Sequence, residues 1–376
     1  MKRKGLVFTL FALGLATGIP SMPGQTVSFI RQTSSVSTHP RDRVGAVVAD
    51  GSGAYVFFGD RRLRKYDSSG TEVWARDIGA EPEVTVNAAV ADATGVYLAG
   101  STFTPPGPRT VSFVRKFNGA GNQLWSRQFD ALTFAAPAVA VDATGFYVLG
   151  IKNLSTTTDF SVLTHFVRKY SIGGDELWTR DASGGANALA ADTTGVYVFG
   201  GAGPSCLMRK YDPRGNELWT KPIAPAGSVA TDGTGVYVTN GGYFTAPYAP
   251  GGGGGLSLRK YDPNGAELWK RDVVTSYEKT SVGLWQDAHG GVVAADATGV
   301  YVIGWTYLNG LPRQCRSGTG ANAFVRRYSP DGVESWTRQF GNSHEAYARS
   351  VAVDATGVYV IGQQEDAPFP AAGMYP

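Results

Sequence analysis

The stretch Ala352-Val-Asp-Ala-Thr-Gly-Val-Tyr-Val-Ile-Gly362 decides the fold, because its pattern A-x-D-x-T-G-x-Y-V-x-G returns along the whole chain. The Asp and the Tyr are five residues apart in every copy. A fixed spacing across D-x-x-G indicates a tight turn in which Asp caps backbone amides and Gly takes a positive φ. The pattern therefore predicts a β-hairpin at each of seven places, with the looser copies first and fifth: 48–59, 91–100, 140–150, 190–200, 230–241, 294–304 and 352–362.

A second motif alternates with the first and is seen in Arg209-Lys-Tyr-Asp-Pro-Arg-Gly-Asn-Glu-Leu-Trp219. Its aromatic residue and its Trp are eight residues apart in every copy. This motif also contains a D-x-x-G turn between two strand patterns, so it predicts a second hairpin. Six copies occur, at 64–74, 115–125, 168–178, 209–219, 259–269 and 326–336.

The alternation of two fixed hairpins with connections of variable length predicts a β-propeller of four-stranded antiparallel blades. Turns alternate between the two ends of a meander, so the constant turns share one end of the disc and the variable loops share the other. Seven first motifs predict seven blades, but six second motifs leave the last blade incomplete. Thr26–Arg31 nearly repeats Thr110–Arg115, so we expect the N-terminal strand 26–32 to lie beside 358–362 and complete the last blade.

The composition of the hairpins predicts where each strand lies in a blade. The first strand of each repeat is rich in Ala and Val, which suits the crowded centre of the disc, and the fourth carries a Trp that can bury between blades. Counting along the second hairpin puts a cation opposite a Glu, which predicts cross-strand ion pairs. These pairs are Lys65/Glu72, Lys169/Glu176, Lys210/Glu217, Lys260/Glu267 and Arg327/Glu334.

The motifs resemble the bacterial β-propeller repeats called SBBP, over nearly all of the chain after residue 26. The similarity is carried by Phe324–Gly332, Trp336–Gly341 and Val351–Gly362. The resemblance implies a propeller on an exported prokaryotic protein, with no catalytic residues to transfer. D-x-x-G-x-E-L-W is also similar to the tryptophan-docking motif of pyrroloquinoline-quinone propellers, which implies that the Trp locks blade to blade.

The N-terminus predicts export. Lys2, Arg3 and Lys4 precede the apolar run Leu6–Ala16, and small residues follow, as in a signal peptide cleaved near residue 24. The run is too short to span a bilayer, and no other stretch predicts a transmembrane segment. A buried first strand is the alternative. We therefore expect a signal peptide over 1–24, one propeller domain over 25–376, and a secreted or cell-surface prokaryotic protein that is a monomer.

Charge and motif content argue against several function classes. The net charge is +3, and 18 of the 34 Lys and Arg residues recur at fixed repeat positions, so they form no single basic patch and no nucleic-acid partner is expected. The four His are scattered, and each turn offers one carboxylate, which indicates capping rather than a metal site. Cys206 and Cys315 fall in different repeats and favour unpaired thiols. We expect no cofactor, no metal and no catalytic residues.

The long loops of the fifth and sixth repeats hold residues that the repeat does not require. Aromatic rings beside polar groups on one loop face could stack on a sugar or bind a peptide. The alternative is that these rings only pin the loops to the scaffold. The candidate ligand-binding residues are Tyr243, Phe244, Tyr248, Trp285, His289, Trp305 and Tyr307.

Three function classes stay open. A non-enzymatic binding scaffold with a protein or glycan partner is favoured, because it needs only a rigid frame with variable loops. A structural repeat spacer is the second. A carbohydrate-active hydrolase or lyase is the third, and it needs two carboxylates about 5–10 Å apart on the loop face, for which Glu278, Asp287 and Glu345 are the candidates.

Overall fold

A computed structural model of the chain gives the fold of most of the repeat region. It describes residues 6–14, 27–35, 45–57, 61–79, 83–103, 110–129, 133–153, 163–182, 184–201, 206–224, 226–240, 256–274, 288–307, 321–340 and 346–365. The described residues form strands and their turns, with no helix. The all-β prediction is therefore confirmed for this part of the chain.

Six sheets each consist of four consecutive antiparallel strands, as the two alternating hairpins predict. We number them as blades 1 to 6. Blade 1 contains β3 (Val47–Ala49), β4 (Ala54–Phe57), β5 (Arg62–Tyr66) and β6 (Glu72–Asp77). Blade 2 contains β7 (Glu83–Asp92), β8 (Gly95–Phe103), β9 (Thr110–Asn118) and β10 (Gln123–Gln128). Blade 3 contains β11 (Thr133–Asp142), β12 (Gly145–Asn153), β13 (Leu163–Tyr170) and β14 (Glu176–Asp181).

The next three blades repeat this order. Blade 4 contains β15 (Ala186–Asp192), β16 (Gly195–Gly200), β17 (Leu207–Tyr211) and β18 (Glu217–Pro222). Blade 5 contains β19 (Ser228–Thr231), β20 (Val236–Thr239), β21 (Leu256–Tyr261) and β22 (Glu267–Val274). Blade 6 contains β23 (Ala288–Asp296), β24 (Gly299–Tyr307), β25 (Ala321–Tyr328) and β26 (Glu334–Phe340).

A further four-stranded sheet joins the two ends of the chain, and we call it the terminal sheet. It contains β27 (Ala346–Asp354), β28 (Gly357–Glu365), β1 (Leu6–Gly14) and β2 (Val27–Ser35), in the order β2-β1-β28-β27. The sequence predicts seven blades, and the structure shows six blades built from four consecutive strands each. The terminal sheet has the strand number of a blade but a different construction.

The predicted closure by residues 26–32 beside 358–362 is wrong for this chain in the choice of strand. β1 is the strand that pairs with β28, with Leu10 opposite Ile361, and β2 pairs with the other edge of β1. Residues 6–14 of the apolar run expected in a signal peptide form this strand. An apolar strand gains free energy by replacing water at an unpaired sheet edge.

The first strands of the sheets lie at the centre, as their Ala and Val content predicts. Each first strand contacts the first strands of the two neighbouring sheets, and β3 of blade 1 contacts β27 of the terminal sheet. Small side chains allow this close approach of backbones around one axis. The sheets are therefore arranged as a ring, which is the propeller architecture.

The hydrophobic core is divided among the interfaces between neighbouring sheets. Each of seven apolar clusters draws residues from two adjacent sheets. The Tyr of each first motif is at most 1% exposed and belongs to one of these clusters. The fixed Tyr in A-x-D-x-T-G-x-Y is therefore a packing residue of the blade interface.

Candidate functional site

The constant turns of the first motif are structural, as blade 3 illustrates. The backbone amide and the hydroxyl of Thr144 both donate to Oδ1 of Asp142 at 2.7 Å. The Tyr147 hydroxyl donates to Oδ2 of Asp142 at 2.7 Å, and Lys169 Nζ donates to Thr144 Oγ1 at 2.6 Å. The carboxylate is thus saturated by protein donors, which confirms the predicted capping role of the repeated Asp.

A Tyr and an Asp of these turns have pKa values shifted further away from neutral pH. Burial, and then the hydrogen bond to Asp142, raises the pKa of Tyr147 well above its usual value. Burial of Asp92 acts to raise its pKa, but hydrogen bonds from Thr94 and Tyr97 outweigh burial and hold the pKa below its usual value. Groups that do not titrate near neutral pH are poor general acids or bases. The constant end therefore lacks the titration behaviour of a catalytic centre at these residues.

The repeat tryptophans lock each blade to the turn of the next one. Trp178 Nε1 donates to the carbonyl of Pro213 at 3.1 Å, and Arg180 Nε donates to the carbonyl of Gly215 at 2.7 Å. Lys169 Nζ donates to the same Pro213 carbonyl at 3.1 Å. The equivalent indoles at three other blades bond to the next turn in the same way: Trp74, Trp125 and Trp269. These residues serve packing, which is the role implied by their resemblance to docking tryptophans.

The predicted Lys–Glu pairs of the second hairpin are wrong. One residue between Glu and Trp is bulged, so Lys65 lies opposite Trp74 while Glu72 lies opposite Tyr66. Because of the bulge, each Glu lies on the same face of the hairpin as the Arg that begins the second motif. The Lys that follows this Arg lies on the opposite face and approaches the Asp of the first motif. In blade 1, Lys65 Nζ lies 2.6 Å from Asp50 and Arg64 lies 3.9 Å from Glu72.

The variable-loop end carries the residues that sequence analysis singled out, but the structure describes few of them. Tyr243, Phe244, Tyr248 and Trp285 lie outside the described residues, as do the candidate carboxylates Glu278, Asp287 and Glu345. His289 and Tyr307 are described for their backbone only, in β23 and β24. His289 pairs with Trp305 across these two strands. The structure thus brings the backbones of His289 and Trp305 together.

Trp305 is the candidate whose side chain the structure describes. Its ring meets that of Tyr347 edge to face, with centroids 5.5 Å apart. The guanidinium of Arg349 lies 5.0 Å from the Trp305 ring and 5.4 Å from the Tyr347 ring. Both rings are half-buried and Arg349 is exposed. We call these three residues the Trp305 cluster; sequence analysis missed Tyr347 and Arg349, which sit at positions where other blades carry different residues.

The variable-loop end also has a depression between blades 3 and 4. It is shallow and partly open to solvent. Arg209 forms part of its wall, and the rest comes from small or aliphatic residues: Ala182, Gly184, Gly185, Ala186, Val198, Gly200 and Leu207. No carboxylate belongs to this lining.

The described residues form neither a metal site nor a membrane-spanning helix. No group of three or more His, Cys, Asp or Glu side chains in the described ranges is arranged to hold a metal ion. The same ranges contain no helix with the length and apolar character needed to cross a bilayer. Cys206 is a buried thiol whose Sγ donates to the carbonyl of Gly201 at 4.0 Å, and Cys315 lies outside the described part of the chain.

No protein-family model and no curated protein matches the chain. Among solved structures, BamB from Moraxella catarrhalis is similar, with 13% identity and a TM-score of 0.43 over 90% of this chain and 89% of BamB. A Synechocystis apocarotenoid oxygenase is similar with 8% identity and a TM-score of 0.46, over 79% of this chain and 71% of that one. These similarities are too low to carry an argument. The propeller architecture rests on the strand order and the ring of sheets in this chain.

Proposed function

We propose that the chain is a non-enzymatic binding scaffold whose variable-loop end contacts a protein or glycan partner. The observation that carries the proposal is the contrast between the two ends of the disc. At the constant end, the repeated Asp, Tyr, Lys and Trp side chains are used in turns and blade locks. At the variable-loop end, the Trp305 cluster presents two half-buried rings and an exposed guanidinium. Aromatic residues and Arg are the side chains enriched at binding hot spots.

The Trp305 cluster suits recognition because its parts are pre-arranged. Edge-to-face rings and a guanidinium near a ring face are both favourable geometries, which hold the three side chains in place before a ligand arrives. Little side-chain entropy is then lost on binding. A rigid scaffold with such a surface supports binding without any reacting group.

The binding proposal is tested by a thermal-shift screen of glycans and secreted peptides against the wild-type protein and an Arg349→Gln variant. A ligand at 100 times its Kd should stabilise the protein by about 2.7 kcal/mol. We expect hits that shift the wild type and fail to shift R349Q. The matched control is Arg271→Gln, since Arg271 also lies over an indole, 5.4 Å from Trp269, but at the constant end. Hits that survive R349Q, or that R271Q removes equally, would count against the Trp305 cluster.

We also propose that the protein is exported and belongs with the SBBP-type propellers of prokaryotic secreted and surface proteins. Support comes from the cations Lys2 to Lys4, the apolar run Leu6–Ala16 and the two repeat motifs. Expression of the full chain with its N-terminus intact, followed by mass spectrometry of the secreted product, tests export. A product that begins near residue 24 supports the proposal, and a chain retained with its N-terminus intact contradicts it.

In the exported form, we propose a closed ring of seven blades in which β2 replaces β1 beside β28. Removal of the leader would take β1 away and leave the edge of β28 unpaired. In three other blades a Gly of the second strand lies opposite a Phe of the third, as Gly150 does opposite Phe166. A Cβ on Gly150 would come 2.1 Å from that ring, so the Gly makes room for it. Because β1 is antiparallel to both of its neighbours, β2 now runs parallel to β28 and would have to reverse direction as it moves inward. Antiparallel pairing would then bring Phe29 opposite Gly362, which now faces Thr9.

A chain that begins at residue 25 tests this exchange. We expect it to fold, and we expect a Ser28→Cys, Gln363→Cys double variant to form a disulfide across the new strand pair under oxidising conditions, because this register places Ser28 opposite Gln363 as Ser112 lies opposite Ser101 in blade 2. In the full chain, the same two cysteines are separated by β1 and should stay reduced. Equal disulfide formation in both chains, or none in the shorter one, would contradict the exchange.

A further inference from the structure

Six equivalent arginines occupy the first position of the second motif, and most have a partner within their own blade. Four of them form an ion pair with the Glu eight residues further on. The distances are 3.9 Å for Arg64–Glu72, 3.3 Å for Arg168–Glu176, 2.7 Å for Arg259–Glu267 and 3.5 Å for Arg326–Glu334. Arg115 has Gln123 at that position and donates to the carbonyl of Ile78 in the preceding blade.

Arg209 is the exception in this set. Its blade keeps the Glu and the Thr of the motif, since Thr220 Oγ1 donates to Glu217 at 2.7 Å. In blade 3 the equivalent Thr179 also accepts from Arg168 Nε at 2.7 Å. Arg209 makes no ion pair with Glu217, and within the described part of the chain its polar contact is with the hydroxyl of Tyr211. Its guanidinium N–H groups are therefore not engaged by a carboxylate, whereas four of the equivalent arginines use theirs to bind a Glu.

The neighbours of Arg209 explain why its surroundings are open. Arg168 lies between two aromatic rings, 5.9 Å from Phe129 and 5.0 Å from Phe166. The residues at those two repeat positions around Arg209 are Ala182 and Leu207. Loss of both rings leaves the depression between blades 3 and 4, with Arg209 at its wall.

The floor of the depression is suited to a close approach of a ligand to the backbone. Gly184 and Gly185 have φ values of +97° and +84°, and neither carries a side chain that could cover the floor. A Cβ on Gly184 would lie 3.7 Å from Nη2 of Arg209, which shows how near the guanidinium is to this turn. No lining residue carries a negative charge.

We propose that this depression binds an oxyanion group, a carboxylate or a phosphate, on the ligand of the variable-loop end. The inference rests on the proposed binding function, and it adds the chemistry of one ligand group. A guanidinium offers paired N–H donors that match the two oxygens of such a group. The depression is partly open to solvent, so the charged group would meet the guanidinium at its mouth while the remainder of the ligand extends over the rim.

The test uses the full chain and two probes, acetate and inorganic phosphate, titrated at constant ionic strength with chloride as background. Binding is followed through the amide resonances of Gly184 and Gly185. We expect saturable shifts with at least one probe, and the probe that binds more tightly identifies the source of the oxyanion. Absence of saturable shifts with both probes would overturn the proposal.

Three variants separate this site from general effects of charge. Arg209→Gln should weaken the binding at least tenfold and lower the melting temperature without ligand by less than Arg259→Gln does, because Arg209 forms a hydrogen bond to Tyr211 but no ion pair within the described residues. Arg259→Gln removes the equivalent side chain with its Glu267 partner, so it should lower the melting temperature and keep the binding. Leu207→Phe should also weaken the binding, because it restores a ring that fills the space. Equal binding by R209Q and wild type would refute the assignment.

The outcome is distinguishable from a failure of the proposed function. Partner binding that depends on Arg349 together with no oxyanion binding at Arg209 would overturn this inference alone. Oxyanion binding at Arg209 with no ligand that depends on the Trp305 cluster would overturn the placement of the partner surface and leave the oxyanion site standing.

Discussion

Replacement of Gly215 by Ala tests the lock between blades 3 and 4. Gly215 has a φ of +84°, and a Cβ built on it would lie 2.7 Å from Cδ2 of Trp178. The indole cannot easily retreat, because it is buried and its Nε1 is bonded to Pro213. Gly233 is the matched control, since its φ is +83° and a Cβ there would meet nothing within 4 Å.

The expected magnitudes follow from these two environments. An Ala in a left-handed conformation costs about 1–2 kcal/mol at either position. Displacement of a packed indole adds about 1–3 kcal/mol at Gly215 alone. We therefore expect G215A to lower the free energy of unfolding by roughly 2–5 kcal/mol and G233A by roughly 1–2 kcal/mol.

The assay is urea unfolding followed by far-UV circular dichroism. The two free energies of unfolding are compared on the condition that both variants have the same slope of free energy against urea concentration. The informative quantity is the difference between the two variants, because it cancels the cost of the positive φ. If G215A and G233A lose the same stability within about 0.5 kcal/mol, contact between the indole and the next turn is not a lock and the reasoning is refuted.

Three further predictions follow from the same contacts. Trp178→Phe should lower the free energy of unfolding in urea by about 0.5–1.5 kcal/mol more than Trp336→Phe does. The reason is that Nε1 of Trp178 is bonded to Pro213, while Nε1 of Trp336 has no hydrogen-bond partner among the described residues. Equal losses in the two variants would contradict the role of the bond to Pro213. Lys169→Met should lower the free energy of unfolding by about 3–5 kcal/mol, because it leaves the buried Asp142 carboxylate without the cation that lies 3.8 Å away. A loss below about 1 kcal/mol in the same assay would contradict a stabilising role of this buried ion pair. Stability should also fall as pH rises above about 10, because the folded pKa of the repeat tyrosines lies above the unfolded value, so their contribution is present below about pH 10 and is lost as they ionise. Phenolate absorbance should then rise together with unfolding, and its rise in a fully folded protein would contradict the burial of Tyr55, Tyr147, Tyr237 and Tyr359.

The repeat is what made most of the fold predictable from sequence. Fixed spacing between Asp and Tyr, and between the second aromatic residue and Trp, is a local property of each hairpin, so it predicts the strands and the constant turns. The Ala-rich first strands predict the centre of the ring for the same reason. These features need no knowledge of contacts between distant residues.

The errors arose where a single residue or a distant strand decides the outcome. The bulge at the residue before each Trp, such as Leu124 in blade 2, changes which face Glu occupies, and nothing in the spacing distinguishes it from a regular strand. The closing strand was misassigned because β1 and β2 are both capable of pairing with β28. Pairing between chain ends depends on competition between segments, which a local motif does not reveal.

The candidate site was predictable only in part. Trp305 is a candidate from sequence because the repeat does not require an aromatic residue there. Arg349 and Tyr347 lie in β27, whose sequence does not distinguish it from the first strands of the other repeats. Arg209 belongs to a regular copy of the second motif and looks like its equivalents. The sequence feature that distinguishes Arg209 is the pair Ala182 and Leu207, which occupy the repeat positions of the two Phe rings that flank Arg168.

The terminal sheet bears on association between copies of this chain, because it pairs strands from the two ends of the chain. Five interfaces lead from a repeat tryptophan to the second-motif turn of the next blade, but the terminal sheet has no such motif to receive Trp336. An apolar cluster still fills the interface between blade 6 and the terminal sheet, so packing holds the ring closed there. The exchangeable contact is the pairing of β1 with β28, which joins segments far apart in the sequence. The same strands of a second copy fit that edge equally well, so we expect domain-swapped dimers at high concentration to form through it.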